Sequence, residues 1–364
     1  MPRTALLRDW IHEMLSPRFP GQEIGLEPAS ADASFRRYFR VSLPDGGTRI
    51  VMDAPPDKED CRPFLKVASL FGVAGVHVPE VLAQDLEQGF LLLSDLGGTT
   101  YLSALQDRTT APRLYGDANS ALVAIQLASR PGVLADYDRR LLDHELALFP
   151  DWYLTRHLGL TLDEQTKQTL QTAFAAILAN NLGQAQVFVH RDYHSRNLML
   201  VDGDAPSASA GFPANPGILD FQDAVYGPLT YDLVSLYRDA YIDWPEDQEL
   251  DFVIRYWEAA RRAGLPVPAD FHDFYRDYEW MGAQRQLKVL GIFARLCHRD
   301  GKTDYLGDMP RVLGYLRRTC QRYHELRPLA RLLDRIENRQ VDLGYTFSRT
   351  RELGRDLKWL EEGE

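Results

Sequence analysis

Cysteine is scarce: Cys61, Cys297 and Cys320 are the only three in 364 residues, and none stands in a C-x-x-C pair. An odd set without pairing excludes a disulfide framework and fits the reduced thiols of a cytoplasmic protein. Positive charge is in deficit, since 41 Lys and Arg face 52 Asp and Glu and the formal net charge is −11. That balance argues against a nucleic-acid partner, because phosphate backbones are held by Lys and Arg; a local basic pocket is not excluded. Long apolar runs are missing, and none approaches the roughly 20 residues that span a bilayer, so no membrane partner is expected. Near the start, Asp9, His12 and Glu13 interrupt Leu6, Leu7, Trp10, Ile11, Met14 and Leu15. That pattern reads as an amphipathic helix and not as a secretory leader. His157, His298 and His324 lack metal-ligand spacing, and there is no internal repeat. None of this fixes an oligomeric state.

What is present divides near residue 95. Residues 36–43 alternate, with Phe39, Val41 and Leu43 on one face; Pro44-Asp45-Gly46-Gly47 turns, and residues 49–52 return as a second strand. Residues 29–34 are small and polar and read as a loop between two strands. Cys61 to Phe71 has helical spacing, and residues 79–82 and 89–93 read as two further strands. Asp95-Leu96-Gly97-Gly98 crosses into a region of helical patterns at 113–129, 138–158, 163–181, 229–240, 247–263, 269–298 and 309–339. Three short strands interrupt it at 186–189, 197–201 and 217–221, and residues 202–216 read as a surface hairpin insertion.

One segment carries chemistry. His190-Arg191-Asp192-Tyr193-His194-Ser195-Arg196-Asn197 fits H-R-D-x-x-x-x-N, which resembles the catalytic loop of kinases. Phosphoryl transfer asks little covalent chemistry of a protein. It needs a carboxylate beside the attacking hydroxyl and ligands that hold Mg²⁺ on the phosphates of ATP. Asp192 suits the first task. Asn197, and Asp220 at the end of the strand 28 residues after Asp192, suit the second, because oxygen ligands match this hard cation.

With these residues the chain resembles the aminoglycoside phosphotransferase-like branch of the protein-kinase-like superfamily. Asp220 is followed by Phe221-Gln222-Asp223 and not Phe-Gly, no A-P-E segment follows, and Asp192-Tyr193-His194 is similar to the D-x-H of small-molecule kinases. Longer strings resemble the bacterial kinases that phosphorylate the anomeric hydroxyl of N-acetylmuramate and N-acetylglucosamine. They are residues 34–41, 51–56, 221–224 and 287–296. The resemblance implies an α+β, protein-kinase-like two-lobed fold. A small β-rich nucleotide-binding lobe would span 1–95, and a larger, mostly helical catalytic and substrate-binding lobe 96–364. It also implies adenine contact at the hinge Ser94-Asp95-Leu96, and a small-molecule sugar substrate.

The sequence departs from the kinase pattern at the third strand, where Arg49-Ile50-Val51-Met52-Asp53 lacks the usual Lys, and no G-x-G-x-x-G precedes it. Arg36, Arg37 and Arg40 are the nearest substitute cations; Arg36 and Arg40 share one strand face and Arg37 takes the other. Arg238, Asp239, Tyr241, Trp244, Arg285 and Lys288 are the sugar-site candidates. Such sites join aromatic faces to polar groups, and a lactyl carboxylate favours an Arg. Asp223 and Asp232 read as structural. The competing readings are a kinase of another hydroxylated small molecule, such as an aminoglycoside or choline, and a nucleotide-binding pseudokinase scaffold.

Overall fold

The computed structural model describes residues 3–31, 35–201 and 215–337. By compactness the chain divides into two units. The first is 1–135, 187–226 and 258–265, and the second is 136–186, 227–257 and 266–364. This is a different partition from the lobes 1–95 and 96–364, because the segment carrying Asp192, Asn197 and Asp220 falls in the first unit.

The first unit opens with helix α1 (Arg3–Leu15), then β1 (Gly25–Ala31), β2 (Arg37–Ser42), β3 (Thr48–Asp53), α2 (Arg62–Val73), β4 (Val81–Asp85) and β5 (Phe90–Ser94). The strands form one antiparallel sheet in the order β1-β2-β3-β5-β4. Its register follows the alternation. Phe39 pairs with Val51 and Val51 with Leu92, so their side chains share a face. Leu7, Trp10, Ile11 and Leu15 of α1 pack on that face against Val41, Val51, Phe90 and Leu92. The sheet has a strand, β1, where a loop was expected to begin. Pro28 sits within it, and the register shifts between Pro28 and Ser30, as an edge strand tolerates.

Helices α3 (Tyr101–Ala104) and α4 (Ala111–Leu127) follow. The remaining strands are β6 (Gln186–Val189), β7 (Leu198–Met199), β8 (Gly217–Ile218) and β9 (Val225–Pro228). β7 and β8 pair antiparallel, Leu198 with Ile218, which brings the flanking Asn197 and Leu219 together. Most of the expected insertion lies outside the described residues. Where the chain returns, the Asn215 amide closes it against the backbone of Val201, accepting at 2.7 Å and donating at 2.9 Å.

The second unit is helical. Its elements are α5 (Arg139–Leu148) running into a π-helix over Phe149–His157, α6 (Glu164–Asn181), α7 (Tyr231–Tyr237), most of α8 (Glu246–Ala263), α9 (Phe271–Asp300), α10 (Met309–Arg322) and α11 (Arg327–Ile336). Pro150, the second residue of the π-helix, has no N–H to donate to the preceding turn. Asp138, Asp163 and Asp270 cap α5, α6 and α9 by accepting backbone N–H bonds, and Gly301 ends α9 in the left-handed conformation at φ 69°. α9 is the axis of the unit and is buried over most of Tyr278–Ala294. Gly291 is required there, since a Cβ would lie 2.5 Å from the Leu148 carbonyl of α5. The single helix expected over 309–339 is broken, because Tyr323 is extended (φ −107°, ψ 127°) between α10 and α11. No described helix is long and apolar enough to cross a membrane.

Candidate active site

β6 delivers the chain to a strained turn. His190 is fully buried, and Arg191 follows at φ 79°, a region that side chains rarely adopt; Asp220 sits at φ 61° on the facing segment. Two such outliers on adjoining segments are held there by their surroundings. His190 stacks against Phe71 and meets the edge of Tyr193. Burial pushes its imidazole down to about 4, so it is neutral near pH 7. Nδ1 accepts from the Asp192 N–H at 3.2 Å, so the proton resides on Nε2, which donates to the Leu219 carbonyl at 2.9 Å. One neutral histidine thereby ties the Asp192 loop to the strand that carries Asp220. Tyr193 adds a second anchor, its hydroxyl donating to the Ala118 carbonyl at 2.8 Å.

Asn197 is the junction. Its Nδ2 donates to the Asp192 carbonyl at 3.0 Å and reaches the Asp220 carboxylate at 3.3 Å, while Leu219 N–H donates to its carbonyl at 2.9 Å. Gln222 Nε2 donates to the other Asp220 oxygen at 2.8 Å. Sequence reasoning passed over Gln222 as a site residue, although it directly follows the Asp220-Phe221 pair. Phe221 fixes the segment from behind, packing on Phe64 and Phe71 of α2. The structure therefore brings Asp192, Asn197 and Asp220 into one cluster. The donor set suits Mg²⁺: an amide oxygen and a carboxylate are hard ligands, and two protein ligands leave the coordination to phosphates and water.

The three candidate arginines separate. Arg36 Nη2 lies 3.7 Å from Asp220 Oδ1, with its side chain largely buried. Arg37 is instead a structural ion pair: on the α1 side of the sheet it grips Asp53, a fully buried carboxylate that Arg3 also holds at 2.6 Å. Arg40 is committed to Asp95, at 2.7 and 3.2 Å, and to the Gly97 carbonyl at 2.9 Å. Both are ion-paired to carboxylates in the structure. Met52, opposite Tyr38 and Leu91, is buried where a strand Lys would stand.

The hinge segment is likewise anchored. Ser94 exchanges bonds with Glu80, Oγ accepting at 2.8 Å and N–H donating at 2.9 Å. Burial works to raise the Asp95 carboxyl, but Arg40 and the Gly97 N–H outweigh it and hold it below the usual range. Leu96 is buried with Met199 and Val201.

The family model described as the phosphotransferase enzyme family matches residues 25–271. The chain belongs to that family. A protein of Neisseria meningitidis serogroup B named N-acetylmuramate/N-acetylglucosamine kinase is 48% identical over 95% of this chain and 100% of its own. A Pseudomonas aeruginosa protein of the same name is 50% identical over 90% of this chain and 95% of its own. Among solved structures, the Plasmodium vivax ethanolamine kinase shares the fold with a TM-score of 0.57 at 10% identity, covering 85% of this chain and 86% of that one. The choline kinase from Streptococcus pneumoniae gives a TM-score of 0.55 at 12% identity, covering 85% and 98%. The fold is thus the α+β, protein-kinase-like one, and the phosphotransferase places its Asp192–Asn197–Asp220 cluster within it.

In the helical unit of this phosphotransferase the sugar-site candidates fare unequally. Arg238 is corrected to a structural role. Its side chain is fully buried and bonds Glu249 at 2.6 Å, Thr319 at 2.8 Å and Glu279 at 3.0 Å, so no donor group faces a ligand. Burial opposes its charge, yet Glu249, Tyr278 and Glu279 outweigh it and leave the guanidinium more basic than usual. Trp244 is also core, buried and edge-on to Phe252. Asp239 is buried and accepts from the Tyr241 N–H at 2.9 Å; Tyr241 itself is partly exposed and lies against Phe293. Lys288 is held between Glu145 Oε1 and the Tyr231 hydroxyl, each at 2.8 Å. Arg285 is buried without such a partner.

Proposed function

We propose that this phosphotransferase is an ATP- and Mg²⁺-dependent sugar kinase acting on the anomeric hydroxyl of N-acetylmuramate or N-acetylglucosamine, in the cytoplasm, in the recycling of cell-wall sugars. The observation that carries it is the bridge made by Asn197 between the Asp192 loop and the Asp220 carboxylate. The names of relatives about half identical over nearly the whole chain supply the sugar. Residues 1–95, with the hinge Ser94-Asp95-Leu96, would receive the nucleotide, and residues 96–364 the catalytic groups and the sugar.

Asp192 orients the sugar hydroxyl and takes its proton as the oxygen attacks the γ-phosphorus. The bond to the β,γ-bridging oxygen breaks, giving ADP and a sugar 1-phosphate. Asn197 and Asp220 would hold Mg²⁺, which when bound neutralises charge on the β- and γ-phosphates. Gln222 and Asn197 keep the Asp220 carboxylate aimed. Incubation with ATP labelled at the γ-phosphate and a panel of amino sugars, aminoglycosides and choline tests the reading. Label is expected in an acid-labile 1-phosphate of the amino sugars. Label on an aminoglycoside or choline alone, or on nothing, overturns it.

Arg36 is the cation that stands in for the strand Lys. It alone of the three arginines reaches the Asp220 cluster, and a guanidinium can grip phosphate through two parallel bonds. Arg36→Met should lower kcat/KM for ATP by about tenfold or more, with Lys rescuing only in part. Arg37→Met should stay within about threefold, because Arg37 holds Asp53, which Arg3 also holds, and not the Asp220 cluster. Steady-state kinetics in ATP decide it, and equal values for parent and Arg36→Met would remove Arg36 from the nucleotide site.

A further inference from the structure

We propose that Glu59 is a positioning residue for the phosphate-directed cation: it clasps the backbone beside Arg36 and so holds the guanidinium at the Asp220 cluster. This rests on the Arg36 reading above. Phe35, Arg36, Glu59 and Asp220 all belong to the first compact unit. Protein kinases pair a strand Lys with a helix Glu, and with Met52 in the strand position that pair has no cation. Here the carboxylate at the entrance to α2 holds the loop instead. Glu59 Oε1 accepts from the Phe35 N–H at 3.2 Å, across 24 positions of sequence. The next residue is Arg36, whose Nη2 lies 3.7 Å from Asp220 Oδ1.

The clasp has a fixed end. Beyond β3 the Ala54 N–H donates to the Gly89 carbonyl at 2.9 Å, next to β5. The N–H groups of Lys58 and Glu59 both donate to the Pro55 carbonyl at 2.9 Å, and Asp60 Oδ1 accepts from the Arg62 N–H at 2.9 Å where α2 begins. Glu59 therefore sits in a short hydrogen-bonded turn between the sheet and α2. At the loop end, Arg36 lies between two attachments. On one side Arg37 opens β2, pairs in register with Asp53 and grips its carboxylate. On the other side Phe35 bonds to Glu59. The Phe35 ring is 63% exposed, with Lys58 Nζ 5.9 Å from its centroid, so side-chain packing does little to place it. The backbone bond does that work. An exposed hydrogen bond adds little to folding stability. Its value lies in placement: Arg36 is long, a small rotation at Phe35 swings its guanidinium, and a displacement of about 1 Å can cost on the order of 100-fold in rate.

The test compares parent, Glu59→Ala, Glu59→Gln, Arg36→Met and the double variant Glu59→Ala/Arg36→Met. Each is measured in kcat/KM for ATP, in calorimetric affinity for Mg-ATP and in melting temperature. Glu59→Ala should lose about fivefold or more in both kcat/KM and affinity, and Gln, which keeps an acceptor oxygen, should lose less. Added to Arg36→Met, Glu59→Ala should cost less than about twofold, because two residues that act through one another are not additive. Both Glu59 variants should melt within about 4 °C of the parent. Parental values in Glu59→Ala, a Gln variant as impaired as Ala, a loss undiminished in the Arg36→Met background, a larger fall in melting temperature or failure to fold would each overturn this inference and leave Arg36 in place. Parental values in Arg36→Met overturn the Arg36 reading and this inference with it.

Discussion

Asp192→Asn is expected to lower kcat by about 100- to 10,000-fold, the usual contribution of a positioned general base, while ATP affinity stays close to the parent value. The reason is that asparagine keeps the backbone bonds that hold position 192. Its carbonyl accepts from Asn197 Nδ2 and from the His194 N–H, and its N–H donates to His190. None of these three bonds uses the carboxylate, so all three survive in the asparagine variant. What disappears is the group that accepts the proton of the attacking hydroxyl. Asp220 and Asn197, the metal-directed pair, remain intact, so the nucleotide should still bind. Steady-state turnover and calorimetric titration with Mg-ATP separate the two quantities. Near-parental kcat would remove Asp192 from the chemistry, and loss of nucleotide binding in step with kcat would show instead that the loop had moved.

The parts of the site that were legible in the sequence are those whose partners lie close along the chain. Asp192 and Asn197 are five residues apart in one loop, and the apolar strands on either side fix their placement. β2 and β3 were legible for a similar reason: Phe39 and Val41 alternate, and the turn Pro44-Asp45-Gly46-Gly47 sets the pairing. The end of β1 escaped because Pro28 and small residues carry no alternation, and only pairing with β2 carries the strand through to Ala31. The break at Tyr323 escaped because apolar residues continue at helical spacing from α10 into α11, so periodicity sees one helix.

Electrostatic partners were the least legible part. Alternation put Arg36 and Arg40 on one face and Arg37 on the other, whereas β2 begins only at Arg37 and Arg36 precedes it. It could not show that Arg37 would be matched by Asp53, 16 positions on, or Arg40 by Asp95, 55 positions on. Arg238 illustrates the same limit. Its segment reads as part of the helical pattern over 229–240 and as a candidate sugar site. Only the fold brings Glu249, Glu279 and Thr319 around its guanidinium, which turns a candidate ligand into the hub of a buried ion network.

Replacement of Asp220 should have the largest effect on the nucleotide. Asp220 accepts from Gln222 at 2.8 Å and from Asn197 at 3.3 Å, and Arg36 lies 3.7 Å away, so three donors converge on one carboxylate. Without its negative charge the converging groups no longer favour a cation, and a hard metal ion loses its single anionic protein ligand in this cluster. Alanine is a poor sole test, because at φ 61° the backbone occupies a left-handed conformation that costs alanine about 1–2 kcal/mol. Asparagine tolerates that conformation and keeps the shape, so Asp220→Asn isolates the charge. Both variants should lose about a thousandfold or more in turnover, as expected when the charge-neutralising metal is misplaced. Mg²⁺ should no longer strengthen ATP binding in either, measured by titrating nucleotide with and without the metal. Arg36, relieved of its carboxylate neighbour, should then hold metal-free ATP at least as well as the parent does. If Asp220→Asn retains the parental dependence on Mg²⁺, the metal is held elsewhere, and the convergence of Asn197, Gln222 and Arg36 on Asp220 is a structural clasp between two loops.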